Sequence, residues 1–72
     1  MIVETDLHGV KHEDVRRIVI RQIEDHWGSS CDWVFITGHS TKMKELVSEV
    51  VNEYDMSVKE GVYPSYLIAE YK

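Results

Sequence analysis

The sequence predicts a two-layer α/β sandwich of the α+β type, with the order β-α-β-α-β-β and two helices on one face of a mixed sheet. Three observations predict it: two stretches with apolar residues three and four apart, an unbroken apolar run between them, and two short strand-like segments at the end. Strand-helix-strand passages imply parallel strands joined by right-handed crossovers. The sheet face without helices is expected to be the more polar one, or a partner surface.

The first half of the chain is predicted to form a strand, a helix and a strand. Residues 2–7 form the first strand, which reaches Asp6-Leu7-His8-Gly9 (the first turn). Residues 13–27 form an amphipathic helix that Gly28 ends, because apolar residues recur on one side at helical spacing. The unbroken apolar run 33–36 then indicates a buried central strand. The apolar side of the helix consists of Val15, Ile18, Val19, Ile23 and Trp27.

The second half is predicted to form a helix and two strands. Ser40 or Thr41 is the expected N-cap of the helix. Residues 56–60 alternate as an edge strand does, residues 61–65 form a turn with the only proline, and residues 66–71 form the last strand of a hairpin-like end. The apolar stripe of the helix is Met43, Leu46, Val47, Val50, Val51 and Tyr54.

Length and composition limit the class of protein. Seventy-two residues, of which 43% are hydrophobic and 29% charged, make one globular domain, 1–72, with marginal stability. The lone Cys31 fits a reducing compartment, and no apolar run is long enough to span a membrane. The first residues indicate a strand rather than a signal peptide. A cytoplasmic protein is therefore expected. A net charge of −5 counts against a general nucleic-acid binder.

The first turn carries a candidate acid/base pair. Asp6 and His8 are two residues apart at a strand end, so their side chains should lie on the same side with Leu7 in the core. The imidazole of His8 suits proton transfer near neutral pH, and Asp6 would orient it or stabilise its charged form. Alternatively, Asp6 caps the turn and His8 packs against the first helix. Both interpretations stay open from the residues alone.

A second turn, Thr37-Gly38-His39-Ser40-Thr41, also follows a strand and precedes a helix. Both turns should meet at the carboxyl edge of the sheet, where open α/β sheets bind ligands. Two helix N-termini and the nearby Lys11, Lys42 and Lys44 make this edge locally cationic and suited to phosphate. We therefore predict substrate contacts at Gly9, Lys11, His39, Ser40 and Lys42.

This pattern resembles the Smr (small MutS-related) domain family. Members carry Asp-Leu-His-Gly at the end of the first strand, as at residues 6–9 here, and a glycine-rich turn after the second, often Thr-Gly-x-Gly-x-His-Ser. The matching stretch is Ile36-Thr37-Gly38-His39-Ser40, which is shorter and lacks the second glycine. The resemblance runs over nearly the whole chain, including the Pro64-Ser65 turn, and implies a fold like the C-terminal domain of translation initiation factor three.

The resemblance implies that the protein binds and cleaves nucleic acid. Smr domains are described as endonucleases that nick branched DNA or cleave RNA, with the Asp-x-His pair as the catalytic element and the glycine turn as the nucleic-acid contact. Carried over, this makes Asp6 and His8 catalytic and places Gly38 and His39 against the substrate. The alternative, favoured by the altered second turn and the acidic charge, is a non-catalytic adaptor that binds a protein partner on the same scaffold.

Three further patterns allow more than one interpretation. No dedicated zinc site is expected from His8, His12, Cys31 and His39, whereas a magnesium ion bridging Asp6 and a phosphate remains open. The first helix carries a row of arginines that either tracks a nucleic-acid backbone or forms a solvated face paired with Glu13, Glu24 and Asp25; the row is Arg16, Arg17 and Arg21. The terminal tyrosines either stack on bases or complete the core; they are Tyr63, Tyr66 and Tyr71.

Overall fold

The computed structural model describes residues 2–61, 63 and 65–71 and confirms the α+β sandwich. Within the predicted turn 61–65, Val62 and Pro64 lie outside the described residues. No helix in the described ranges is long and apolar enough to cross a membrane. The elements are β1 (Ile2–Asp6), α1 (His12–Asp25), β2 (Asp32–Ile36), α2 (Thr41–Glu53), β3 (Met56–Glu60) and β4 (Tyr66–Tyr71).

The four strands form one mixed sheet in the order β1-β2-β4-β3. β1 and β2 are parallel, and β4 is antiparallel to both of its neighbours. β2 is therefore the buried central strand that its apolar run predicts, and β3 is the predicted edge strand. β3 runs in the same direction as β2 but does not pair with it, because β4 returns between them. As a result β1, β2 and β3 all end at the same edge of the sheet, the carboxyl edge.

The core lies between the sheet and the two helices. Trp33 and Phe35 of β2 are fully buried beneath the helices, while Val34 between them faces the other side of the sheet. The indole Nε1 of Trp33 donates a hydrogen bond of 2.9 Å to the carbonyl oxygen of Gln22 in α1. The buried Trp33 side chain therefore links β2 to α1 both by apolar packing and by this hydrogen bond. The other core residues include Leu7, Val15, Val19, Ile23, Met43, Val47, Val50, Val51, Met56, Leu67 and Ala69.

α1 ends earlier than its apolar periodicity predicts. The helix ends at Asp25, and His26 leaves the helical conformation at φ −119°. Trp27 is therefore outside the helix and 52% exposed, and its ring packs against Tyr71 at 5.4 Å and Tyr54 at 5.8 Å. The prediction that Trp27 continues the core stripe of α1 is wrong, because its ring instead covers a corner formed by the ends of three elements.

The arginines of α1 are each paired with a carboxylate, which favours the solvated-face interpretation. Arg16 Nη1 donates to Glu53 Oε2 at 2.9 Å and so links α1 to α2, and this contact lowers the pKa of the Glu53 carboxyl below its ordinary value. Arg17 pairs with Asp14 and Arg21 with Asp25. Of the three carboxylates predicted as partners, Asp25 alone is used among these contacts. The three arginines therefore do not form a row of unpaired cations for a nucleic-acid backbone.

The sheet face opposite the helices has an apolar centre, carboxylates along β1 and at the start of β2, and a Lys59–Glu70 ion pair on the β3 side. Strand register aligns Glu4, Val34, Ile68 and Lys59 across the four strands. The next row toward the carboxyl edge contains Asp6, Ile36 and Tyr66. Because alternate residues share a face, Asp32 and Glu70 add two more carboxylates to this surface. We call it the open face; it is more polar than the face beneath the helices, as the sequence predicts.

Candidate functional site

The two turns lie side by side at the carboxyl edge. Asp6 and Ile36 are the last register pair of β1 and β2, and the Leu7 amide continues the pairing by donating to the Ile36 carbonyl oxygen at 2.9 Å. A methyl group added at Gly38 would stand 3.6 Å from Cδ2 of His8, so the imidazole ring lies next to the second turn. The predicted meeting of the two turns is confirmed.

The first turn has the side-chain arrangement that the sequence predicts. Leu7 is fully buried, whereas Asp6 and His8 are exposed. Gly9 has φ +81°, a left-handed conformation that favours glycine, and the Val10 amide donates to the Leu7 carbonyl at 3.0 Å to close the turn. The imidazole of His8 is therefore held outward at the edge.

Asp6 acts on the backbone of His8 and not on its ring. Oδ1 of Asp6 accepts a 2.9 Å hydrogen bond from the His8 amide. The prediction that Asp6 caps the turn is thus confirmed, but the accompanying prediction that His8 packs against the first helix is wrong, because the ring is exposed beside Gly38. Asp6 fixes the position of His8 through the main chain, which makes it a positioning residue in this structure.

Hydrogen bonds from Thr37 hold the second turn in place. The sequence did not predict this role of Thr37. Its side chain is buried, and Oγ1 lies 3.0 Å from both the Gly38 and the Ser65 carbonyl oxygens. Its amide donates to the Ser65 carbonyl at 2.7 Å. A threonine placed directly between a buried strand and a glycine is the available sequence signal. These bonds hold His39 on the exposed side of the turn.

Replacing Thr37 with valine should lower the free energy of unfolding by about 1–2 kcal/mol, because the carbonyl oxygens of Gly38 and Ser65 lose the one hydroxyl hydrogen they share, with little change of side-chain shape. Urea denaturation followed by circular dichroism measures this. Thr41→Val, at an exposed position in the first turn of α2, is the matched control and should change stability by less than about 0.5 kcal/mol. Equal effects of the two substitutions would contradict the anchoring role of Thr37.

The cationic character of the edge is stronger at the second turn. The first turn of α2 contains no acidic residue, whereas α1 begins with Glu13 and Asp14. Lys11 and Lys42 are exposed, and Lys11 occupies the N-cap position of α1 without a side-chain capping bond. An anion is therefore best accommodated near the start of α2, where the helix dipole and Lys42 add.

In addition to its predicted contact with substrate, Ser40 has a structural role. Its Oγ accepts a 3.1 Å hydrogen bond from the Met43 amide, which makes it the N-cap of α2. The prediction of an N-cap at Ser40 or Thr41 is confirmed at Ser40. The hydroxyl hydrogen remains to donate to an acceptor such as a phosphate oxygen.

Residues that bind metals are dispersed. The described residues contain no group of three or more His, Cys, Asp or Glu side chains that could hold a metal ion. Cys31 is buried at the opposite end of the sheet from His8, with its Sγ 3.1 Å from Ser29 Oγ. At the candidate site Asp6 has one carboxylate oxygen without a hydrogen bond to any described residue.

The fold and the site together define a two-layer α/β domain with two histidine-bearing turns joined at the carboxyl edge. No family model, curated protein or solved structure matches this chain. The resemblance to the Smr family stays a prediction that depends on the two turns.

Proposed function

We propose that this protein binds nucleic acid at the carboxyl edge and cleaves its phosphodiester backbone, with His8 as the proton-transfer group. The observation that carries the proposal is the exposed imidazole of His8 beside Gly38, which joins the two turns in one surface. His39, a second exposed histidine, directly follows Gly38 in the second turn. Two imidazoles near a helix N-terminus combine proton transfer with affinity for phosphate.

The chemistry requires one base and one acid. In hydrolysis, a water oxygen attacks phosphorus while its proton passes to the base, and the bond from phosphorus to the leaving oxygen breaks as that oxygen takes a proton from the acid. His8 fills one role, and His39 fills the other or contacts the phosphate. Lys42 and the start of α2 neutralise the phosphate oxygens, and Gly9 and Gly38 allow close approach of the backbone. A magnesium ion at Asp6 would supply further charge neutralisation.

The charge of the protein favours weak, localised binding. The net charge is −5, and the arginines of α1 are paired with carboxylates, so attraction to phosphate is confined to the carboxyl edge. Weak binding through few phosphate contacts has a shallow dependence on salt. The free thiol of Cys31 suits the cytoplasm as the compartment of action.

Cleavage and binding assays test the proposal. The purified protein is incubated with end-labelled RNA and branched DNA, in parallel with magnesium and with a chelator, and binding is measured by gel shift at low and moderate salt. We expect cleavage of at least one substrate and a shift that weakens with salt. Intact substrates under all conditions would refute the enzymatic role, and the lack of any shift at low salt would refute nucleic-acid binding.

A protein-binding adaptor is the second candidate, and the open face favours it. Val34, Ile36, Ile68 and Tyr66 form an apolar centre on a surface that no element covers among the described residues. The carboxylates of Glu4, Asp6 and Asp32 at its β1 side suit a partner with a basic rim better than they suit nucleic acid. This role would be supported if the wild type gives no gel shift with nucleic acid but binds a protein partner in a pull-down. The substitution Ile68→Glu should then abolish binding of that partner.

A further inference from the structure

A third segment reaches the carboxyl edge beside the two turns. β3 runs in the same direction as β1 and β2, so the connection from β3 to β4 lies at the edge where those strands end. Ser65 of this connection accepts hydrogen bonds from the amide and from Oγ1 of Thr37. The end of the connection at Ser65 is therefore in direct contact with the second turn. This brings Tyr63 and Tyr66 to the candidate site.

Tyr63 presents an exposed aromatic ring that is held in place. The residue is 60% exposed, and its ring contacts the ring of Tyr66 at 5.5 Å with an interplanar angle of 69°. The Tyr66 amide donates to the Tyr63 carbonyl at 3.0 Å, which ties the two residues through the backbone as well. An exposed ring fixed by a neighbour loses little conformational entropy on binding. It is not part of the core.

Strand register relates the tyrosines to the first turn. Asp6, Ile36 and Tyr66 form one row on the open face, in adjacent strands. Two strand spacings separate Asp6 from Tyr66, which is roughly 10 Å. That span equals about three stacked nucleotides at roughly 3.4 Å each. A strand of nucleic acid with its phosphate at His8 can therefore reach the Tyr63 ring within a few nucleotides.

We propose that Tyr63 is a stacking subsite for an unpaired base, so that the substrate class is a single-stranded segment of nucleic acid. This inference rests on the proposed function. Stacking requires a base whose face is free, which a duplex does not offer. The carboxylates of Glu4, Asp6 and Asp32 also disfavour contact of the open face with the broad phosphate surface of a duplex, whereas Glu70 is paired with Lys59 at 3.4 Å. A single strand that follows the carboxyl edge meets Asp6 there and bypasses Glu4 and Asp32, which lie farther from that edge.

Fluorescence anisotropy with short labelled oligonucleotides tests the subsite. The wild type should bind single-stranded RNA or DNA more tightly than the matching duplex. Tyr63→Ala should weaken single-strand binding about tenfold to a hundredfold, the loss typical of one base stack, and Tyr63→Phe should retain it because stacking uses the ring and not the hydroxyl. Trp27→Ala is the matched control, since Trp27 is also an exposed ring but packs on Tyr71 at the opposite edge. Its binding should equal that of the wild type.

Abasic substitutions identify the stacked base directly. A series of single-stranded oligonucleotides, each with one base removed, is titrated with the wild type and with Tyr63→Ala. One position should weaken binding to the wild type and have no further effect on Tyr63→Ala. If Tyr63→Ala binds single strands as the wild type does, or if the duplex binds as tightly, the subsite is refuted while the proposed function stands. If the wild type binds no nucleic acid at low salt, the proposed function itself fails.

Discussion

His8→Ala is expected to lower phosphodiester cleavage by roughly 100- to 10,000-fold, the range that one acid/base group contributes. The same substitution should leave the free energy of unfolding nearly unchanged, because the imidazole is exposed and its side chain makes no hydrogen bond within the described residues. Initial cleavage rates at saturating enzyme, together with urea denaturation of the same preparations, measure both quantities. Loss of activity with retention of fold is the distinguishing result.

His12→Ala is the matched control for this prediction. His12 is also exposed, at the start of α1, but lies outside both turns. Its removal should change the cleavage rate by less than about threefold, as is usual for surface substitutions. Equal losses in the two variants would point to a general charge effect, and full activity in His8→Ala would remove His8 from the chemistry.

Trp33→Ala is expected to destabilise the fold by about 4–6 kcal/mol. Removing a fully buried indole costs about 3–5 kcal/mol, and the lost hydrogen bond to the Gln22 carbonyl oxygen, which keeps His26 Nδ1 as a neighbour at 3.2 Å, costs about 1 kcal/mol more. A domain of 72 residues has a total stability of about 4–11 kcal/mol. The loss therefore equals the whole stability at the lower end of this range and about half of it at the upper end.

Urea denaturation followed by far-UV circular dichroism tests this prediction. Trp33→Phe keeps most of the buried ring and loses the indole hydrogen bond, so it should cost about half as much as the alanine substitution. Trp27→Ala removes the half-exposed tryptophan and should cost less than about 2 kcal/mol. A cooperative transition in Trp33→Ala with a loss below about 2 kcal/mol would show that the indole does not organise the core.

The sequence predicted those parts of the fold that local patterns determine. The bounds of β3 and β4 agree with the alternation of residues 56–60 and with the segment 66–71. The end of α1 was misplaced because Trp27 falls at helical spacing, while the rings that hold it outside the helix, Tyr54 and Tyr71, are distant in the chain. The insertion of β4 between β2 and β3 likewise depends on long-range pairing that periodicity does not contain.

The candidate site divides in the same way. The two turns meet because they follow parallel neighbouring strands, β1 and β2, so the sequence was sufficient to predict their proximity. The target of Asp6 was not predictable, because a carboxylate two residues before a histidine can reach either its ring or its amide, and the structure has the amide bond. The anchoring of Thr37 on Ser65 joins residues 28 positions apart. The position of Thr37 between a buried strand and a glycine indicates an anchor, but it does not indicate the partner.

The place of β1 in the sheet limits how durable the site can be. β1 carries Asp6, leads into His8, and is an edge strand whose one strand partner in the described chain is β2. Edge strands fray at a lower free energy than central strands do, and their amides exchange with solvent sooner. The two turns can therefore separate by local opening while the core around β2 stays folded. Activity would then be lost on mild warming well before the domain melts.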